Sequence, residues 1–199
     1  MAKIDRAPFV CLPVAGQSFW TAGEPDERRT ALREAAYIRR TKFRKGKLVH
    51  DFACRAEDLF MLTPIVPQEA REWVKRPFLR WKLADEATKG CQGGAAVSAW
   101  HVVADLPLGM SRGQWTDEAE QLVRDVLPCT AVAEICGHLP TKDPPHIHML
   151  VATRQPGPWS YTAMIEGLER LLQYELKARW LDWLDRCASA PAANVRRAA

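Results

Sequence analysis

A chain of 199 residues, 47% hydrophobic and 26% charged, is long enough for one domain with a sizeable core. No apolar run approaches the ~20 residues of a membrane span. Six cysteines without a single Cys-x-x-Cys pair argue against a zinc knuckle, and with no secretory leader in view free thiols in a reducing cytoplasm are expected. The formal net charge of +4 is too small to specify a partner, but it is unevenly spread. Arg39, Arg40, Lys42, Arg44, Lys45 and Lys47 crowd together with no acidic residue among them. Such a cluster attracts phosphate. The plain alternative is a solvated basic loop.

In chain order, residues 8–14 read as a first strand, separated by Gly16, Gly23 and Pro25 from a helix over 25–42. Ala31, Leu32, Ala35, Ala36 and Ile38 give that helix a small, apolar face. Residues 47–52 make a brief strand or an ordered loop, and 61–67 a loop punctuated by proline. Helical composition over 68–89 is interrupted at Pro77, where a break or kink is expected. A turn at 91–94 leads to a long strand over 95–106, stopped by Pro107. Ser111 or Thr116 caps a helix that reaches Leu127. Two apolar runs follow, 131–138 and 146–152, joined by a short loop. Ser160 is expected to cap a last amphipathic helix running to about Arg186. The reading is one domain over 1–187, with a disordered tail at 188–199. Its class is α/β (α+β): a mainly antiparallel central sheet with flanking helices.

The chemistry concentrates in the last pair of strands. His146-Ile147-His148 opens one apolar run, and His138 ends the other. Alternate strand residues share a face, so His146 and His148 point the same way. A hairpin around 139–145 sets His138 opposite His146. Three imidazoles then converge from two rigid strands, leaving open positions for a substrate. Such a set favours Mn, Co, Ni or Zn over Mg, which prefers oxygen ligands. Cys136, two residues before His138, opens a rival: a closed structural zinc site. His101 lies on the 95–106 strand and can face the same side.

A phosphate substrate also needs a nucleophile, and the chain has three tyrosines. Tyr37 sits in the first helix just before the basic cluster. A phenol ionises near pH ~10, so it needs cationic help. The bland fate is a half-buried helix residue with a wet hydroxyl. Tyr174 competes, with Lys177 one helical turn away. Exposed members among Trp20, Phe43, Trp100 and Trp159 could stack bases, although most such rings fill cores.

These residues resemble the MobA/MobL relaxases, plasmid mobilisation nickases among the HUH endonucleases. Ala35-Ala36-Tyr37-Ile38-Arg39-Arg40 resembles the family's N-terminal tyrosine motif. Lys47-Leu48-Val49-His50-Asp51-Phe52 resembles the segment that follows it. His138, followed by Asp143-Pro144-Pro145-His146-Ile147-His148, resembles its three-histidine metal motif. The resemblance spans roughly 35–186.

It implies an HUH-endonuclease-like fold, with Tyr37 as nucleophile and His138, His146 and His148 holding one divalent ion. That ion is Mn²⁺ or Mg²⁺, with Zn²⁺, Ni²⁺ or Co²⁺ as further candidates. The basic cluster then serves DNA binding. The implied substrate is single-stranded DNA at a plasmid transfer origin, nicked to a 5′-phosphotyrosyl enzyme and a free 3′-hydroxyl. Accessory mobilisation proteins and a coupling protein are the implied partners, without membrane insertion.

Two departures stand out. His101 occupies a place where the family often has glutamate, and it or His50 is a candidate proton relay for the tyrosine. The chain also ends after a nuclease-sized domain, so unwinding would be borrowed. Two other readings stay open. One is a rolling-circle replication initiator using Tyr174. The other is a non-catalytic, zinc-stabilised DNA-binding regulator.

Overall fold

A computed structural model describes residues 7–15, 29–45 and 48–189, and the side chains of Lys45 and Leu48 lie outside that description. Five antiparallel strands form the central sheet: β1 (Phe9–Ala15), β4 (Leu59–Ile65), β5 (Val97–Asp105), β6 (Ala133–His138) and β7 (His146–Ala152), in the order β1-β5-β7-β6-β4. A small ribbon, β2 (Lys42–Lys45) with β3 (Leu48–Asp51), follows helix α1 (Ala31–Ile38). Helices α2 (Glu72–Lys75) and α3 (Pro77–Ala87) follow β4, and α4 (Arg112–Val126) joins β5 to β6. A second hairpin, β8 (Arg154–Pro156) with β9 (Tyr161–Met164), precedes the C-terminal helix. That helix runs as α5 (Leu168–Arg170), a π-helical turn over Leu171–Leu176, and α6 (Lys177–Ser189). No helix among the described residues is long and apolar enough to cross a membrane.

The central strand explains the layering. Every residue of β7 is buried, so both of its faces must be covered. Ile147, Met149 and Val151 pack with Trp100, Val102 and Ile135 against Trp115 and Val123 of α4 and Leu172, Leu176 and Trp180 of the last helix. On the other face Leu150 and Ala152 join Ala99 and Cys136 against Ala31, Ala35 and Ile38 of α1 and Trp81 and Ala84 of α3. The alanine stripe of α1 lets its backbone lie close on the sheet. His146 and His148 alternate with the first set, so they belong to the α1 face.

Local signals account for most boundaries. Thr30 caps α1 by accepting from the Arg33 N–H, and the Asp85 carboxylate accepts the N–H groups of Ala31 and Leu32 at 2.7 and 3.0 Å. Pro77 breaks the 68–89 helix, as expected, and becomes the first residue of α3. Ser111 is the α4 cap, closed by a reciprocal bond with Gln114.

Three expectations fail. The first helix does not reach residue 42: it stops at Ile38, and Lys42 opens β2. Residues 61–67 are not a loop: Leu59–Ile65 is a strand, with Met61 and Ile65 buried. Its Pro64 is tolerated because β4 lies at the sheet edge. Ser160 does not cap the last helix. It closes the β8–β9 turn, where the Gly157 N–H donates to its carbonyl, and the helix starts after Gly167, whose φ is 68°. Residues 1–6, 16–28 and 46–47 and the tail beyond 189 lie outside the described residues.

Candidate metal centre

The β6–β7 hairpin has the register that the spacing demands: His138 pairs with His146, and Cys136 with His148. All three histidines are buried at one end of the sheet. Their ring centroids are 4.6 Å (His138–His148), 5.0 Å (His146–His148) and 5.6 Å (His138–His146) apart. One ligand atom from each lies within 4.8 Å of the others. Ring rotation can bring such a set onto one ion, whose bonds to imidazole nitrogen are about 2.1 Å. Three imidazoles fit a divalent transition ion, and no carboxylate or thiol joins the cluster among the described residues. Cys136, fully buried beside His148, stays outside it, and burial raises its thiol pKa, with Glu134 adding to the effect.

Neighbours orient the rings. His146 Nδ1 donates to the Pro144 carbonyl at 2.9 Å, a use for the proline-rich loop. His148 Nδ1 lies 2.9 Å from His101 Nε2, and His101 Nδ1 lies 3.0 Å from a Glu34 carboxylate oxygen. Arg29 Nη2 also lies 2.9 Å from His101 Nδ1, so that nitrogen either donates to Glu34 or accepts from Arg29, and two tautomer pairs satisfy the two imidazoles. Only one leaves His148 Nε2 for a metal, with Nδ1–H donating to His101 and His101 donating to Glu34. Arg29 holds Glu34 with two bonds of 3.1 Å. Burial works against the charged form of Glu34, but its bonds to His101 and Arg29 prevail and bring its pKa down to about 2. Burial, then the neighbouring His101, His138 and His146 and the Arg40 charge, lowers the pKa of His148 well below the ordinary histidine value.

Tyr37 reaches this cluster from the last turn of α1. Its half-buried ring sits edge-on to His148 at 5.4 Å and to His101 at 6.4 Å. Phe52 packs against its other side at 5.4 Å. His50 stacks on Phe52 at 5.6 Å and on Phe43 at 6.2 Å, so the β2–β3 ribbon is tied to the tyrosine by a run of rings.

The basic run divides. Arg39 turns inward to the fully buried Glu134, which Arg80 and Trp81 also approach. Arg40, 5% exposed, grips Asp58 with Nε and Nη2 at 2.9 and 3.1 Å. Neither presents its charge to solvent as the sequence suggests, because each answers a buried carboxylate. Lys42 and Arg44 are exposed on the ribbon, Lys42 pairing with Asp51 at 3.2 Å. The Lys45 side chain and Lys47 fall outside the described residues, as does Trp20. Of the other candidate stacking rings, Phe43 and Trp100 are buried, and Trp159 is exposed at the β8–β9 turn, beyond the end of β7 farthest from His146. Tyr174, 70% exposed, stands on the helix that covers the opposite sheet face.

Glu34, Asp58 and Glu134 were invisible to sequence reasoning as site residues. Each is an isolated acid whose basic partner is distant or ambiguous in the chain.

Fold and site together define an α+β domain: an antiparallel sheet carrying a three-histidine cluster beside a tyrosine. No family model and no curated protein matches the chain. Its fold is similar to a solved structure from Staphylococcus aureus described as the molecular basis of vancomycin resistance transfer. The two share a TM-score of 0.69 over 90% of each chain at 13% sequence identity.

Proposed function

We propose that this chain is a plasmid-mobilisation relaxase of the HUH type, making a site- and strand-specific nick in transfer-origin DNA. The observation that carries the proposal is the placement of Tyr37 against His148, on the sheet face that holds all three histidines. The fold neighbour's connection with resistance transfer supports the same reading. The working compartment is then the cytoplasm, with accessory mobilisation proteins and a coupling protein as partners.

The Tyr37 oxygen attacks the scissile phosphorus in line. A phosphotyrosyl bond forms, the bond to the departing 3′ oxygen breaks, the phenol gives its proton to solvent, and the 3′ oxygen takes one up and leaves as a 3′-hydroxyl. The ester keeps the energy of the broken bond, so the reverse attack reseals the strand without a nucleotide. A divalent ion held by His138, His146 and His148 would supply Lewis acidity to the phosphate oxygens. Phe52 and the His148 ring restrict the Tyr37 side chain, which reduces the orientational cost of attack. His101, with both nitrogens engaged, orients His148 rather than taking the Tyr37 proton. Lys42 and Arg44 engage the DNA backbone, and binding weakens with salt.

Tyr174 points away from the opposite face of the sheet, which disfavours the replication-initiator reading. The test is incubation with Mn²⁺ and labelled single-stranded transfer-origin DNA from the protein's own plasmid. A protease-sensitive adduct is expected from the wild type and from Tyr174→Phe, and none from Tyr37→Phe. An adduct that survives Tyr37→Phe and disappears with Tyr174→Phe overturns the assignment. No adduct from any of the three, with tight zinc binding and collapse on chelation, indicates the structural regulator instead.

A further inference from the structure

We infer that Arg40 is a built-in cation that caps His138 and sets how tightly the site binds metal. The inference rests on the metal reading of the three histidines.

His138 differs from its two companions. Its Nε2 lies 2.8 Å from the Ile38 carbonyl oxygen, an acceptor only, so Nε2 carries the proton. The sole lone pair of the neutral ring is then on Nδ1, and Arg40 Nη2 lies 2.9 Å from it. A guanidinium can only donate. The lone pair that a metal needs from His138 is therefore engaged by a fixed positive charge. The charge is well fixed: Arg40 Nε and Nη2 bond the two Asp58 carboxylate oxygens at 2.9 and 3.1 Å.

The backbone gives an independent sign that this side chain is wanted. Arg40 has a φ of 55°, the only positive φ at a non-glycine position among the described residues. Thr41 N–H bonds the Ala36 carbonyl and Arg40 N–H bonds the Tyr37 carbonyl, which is the usual ending of a helix with a left-handed residue just past its cap. Glycine is the ordinary occupant because it has no Cβ to strain. Here an arginine takes the strained place, and its side chain reaches Asp58, His138 and Tyr37 at once. Strain of this kind persists where surrounding contacts over-determine it, commonly at functional sites.

The same Nη2 serves both contacts, with one hydrogen on Asp58 Oδ2 and the other toward His138 Nδ1, so freeing the His138 lone pair takes a turn of the His138 ring or a shift of the guanidinium. Metal entry therefore exchanges one hydrogen bond for one coordinate bond, against the repulsion of a nearby guanidinium. Arg40 is a positioning residue in this scheme. It keeps His138 in one tautomer and holds affinity below what three imidazoles alone would give.

The test is isothermal titration of the full chain with Mn²⁺, comparing wild type, Arg40→Gln and the double variant Arg40→Gln with Asp58→Asn. The double variant removes both buried charges, so it keeps the experiment sound if an unpaired Asp58 unfolds the single one. It also removes the anion, whose attraction could otherwise mimic the effect. Loss of a charged hydrogen bond to the ligand nitrogen predicts binding on the order of tenfold tighter in both variants. The ¹⁵N shifts of His138 should also move toward those of an Nδ1 without a donor. Unchanged or weaker binding overturns the inference while leaving the metal site standing, as does tighter binding in the single variant alone. No binding by any of the proteins overturns it together with the metal reading.

Discussion

Replacing His101 by phenylalanine isolates the chain Glu34–His101–His148. The two rings have similar size, and His101 is only 3% exposed, so the change opens little cavity. It removes the acceptor 2.9 Å from His148 Nδ1 and the donor 3.0 Å from Glu34. Glu34 keeps both bonds from Arg29. The main loss is thus one buried N–H without a partner, about 1–3 kcal/mol of stability in the metal-free protein. The ring of His148 also loses what fixes its tautomer. Removing such a partner typically weakens metal binding by about 10–100-fold, or roughly 1.4–2.7 kcal/mol. Urea unfolding in the presence of a chelator measures the first effect, and Mn²⁺ titration the second. His101→Gln, which keeps an acceptor, should recover part of both. A folded His101→Phe protein with wild-type metal affinity would refute the orienting role.

Glu34 makes a pH prediction with a definite sign. Its pKa is lowered from the ordinary 4.5 to about 2, so the unfolded chain takes up its proton first as pH falls. The contribution is full above pH 4.5 and disappears as pH falls toward 2, up to about 3 kcal/mol in all. Glu34→Gln should flatten that part of the stability curve measured by urea melts, and an unaltered slope would refute the assignment. Gly137→Ala should destabilise by about 1–3 kcal/mol, because a Cβ there meets Phe60 Cζ at 2.5 Å and Met61 Cβ at 2.9 Å. An unchanged melting midpoint would show that Phe60 swings aside freely. Arg39→Ala, which leaves buried Glu134 short of its main partner, should cost about 3 kcal/mol or more. The exposed pair Lys42→Ala with Arg44→Ala should leave unfolding unchanged while reducing the salt dependence of DNA binding. Equal stability effects from the two changes would contradict the division of the basic run.

The sequence by itself determined the parts of this protein that depend on local periodicity. A two-residue repeat placed His146 and His148 on one face, and a short loop between two apolar runs placed His138 opposite His146. A proline in a helical stretch marked the start of α3, and Ser111, one of two candidate caps, marked the start of α4. The helix carrying Tyr37 was likewise visible from its small apolar stripe.

Tertiary structure alone decided what the charges do. Arg39, Arg40, Lys42 and Arg44 are equivalent as a run of basic letters, yet the first two point inward and the others outward. Their partners Glu134, Asp58 and His138 lie 95, 18 and 98 positions away, beyond any local pattern. The Glu34–His101–His148 chain likewise spans a helix and two strands that meet only after the sheet has assembled. Residues 59–65 became a strand despite Pro64 because an edge position needs hydrogen bonds on one side only. Periodicity is written by neighbours along the chain, whereas the partner of a buried charge is chosen by whichever element packs across from it.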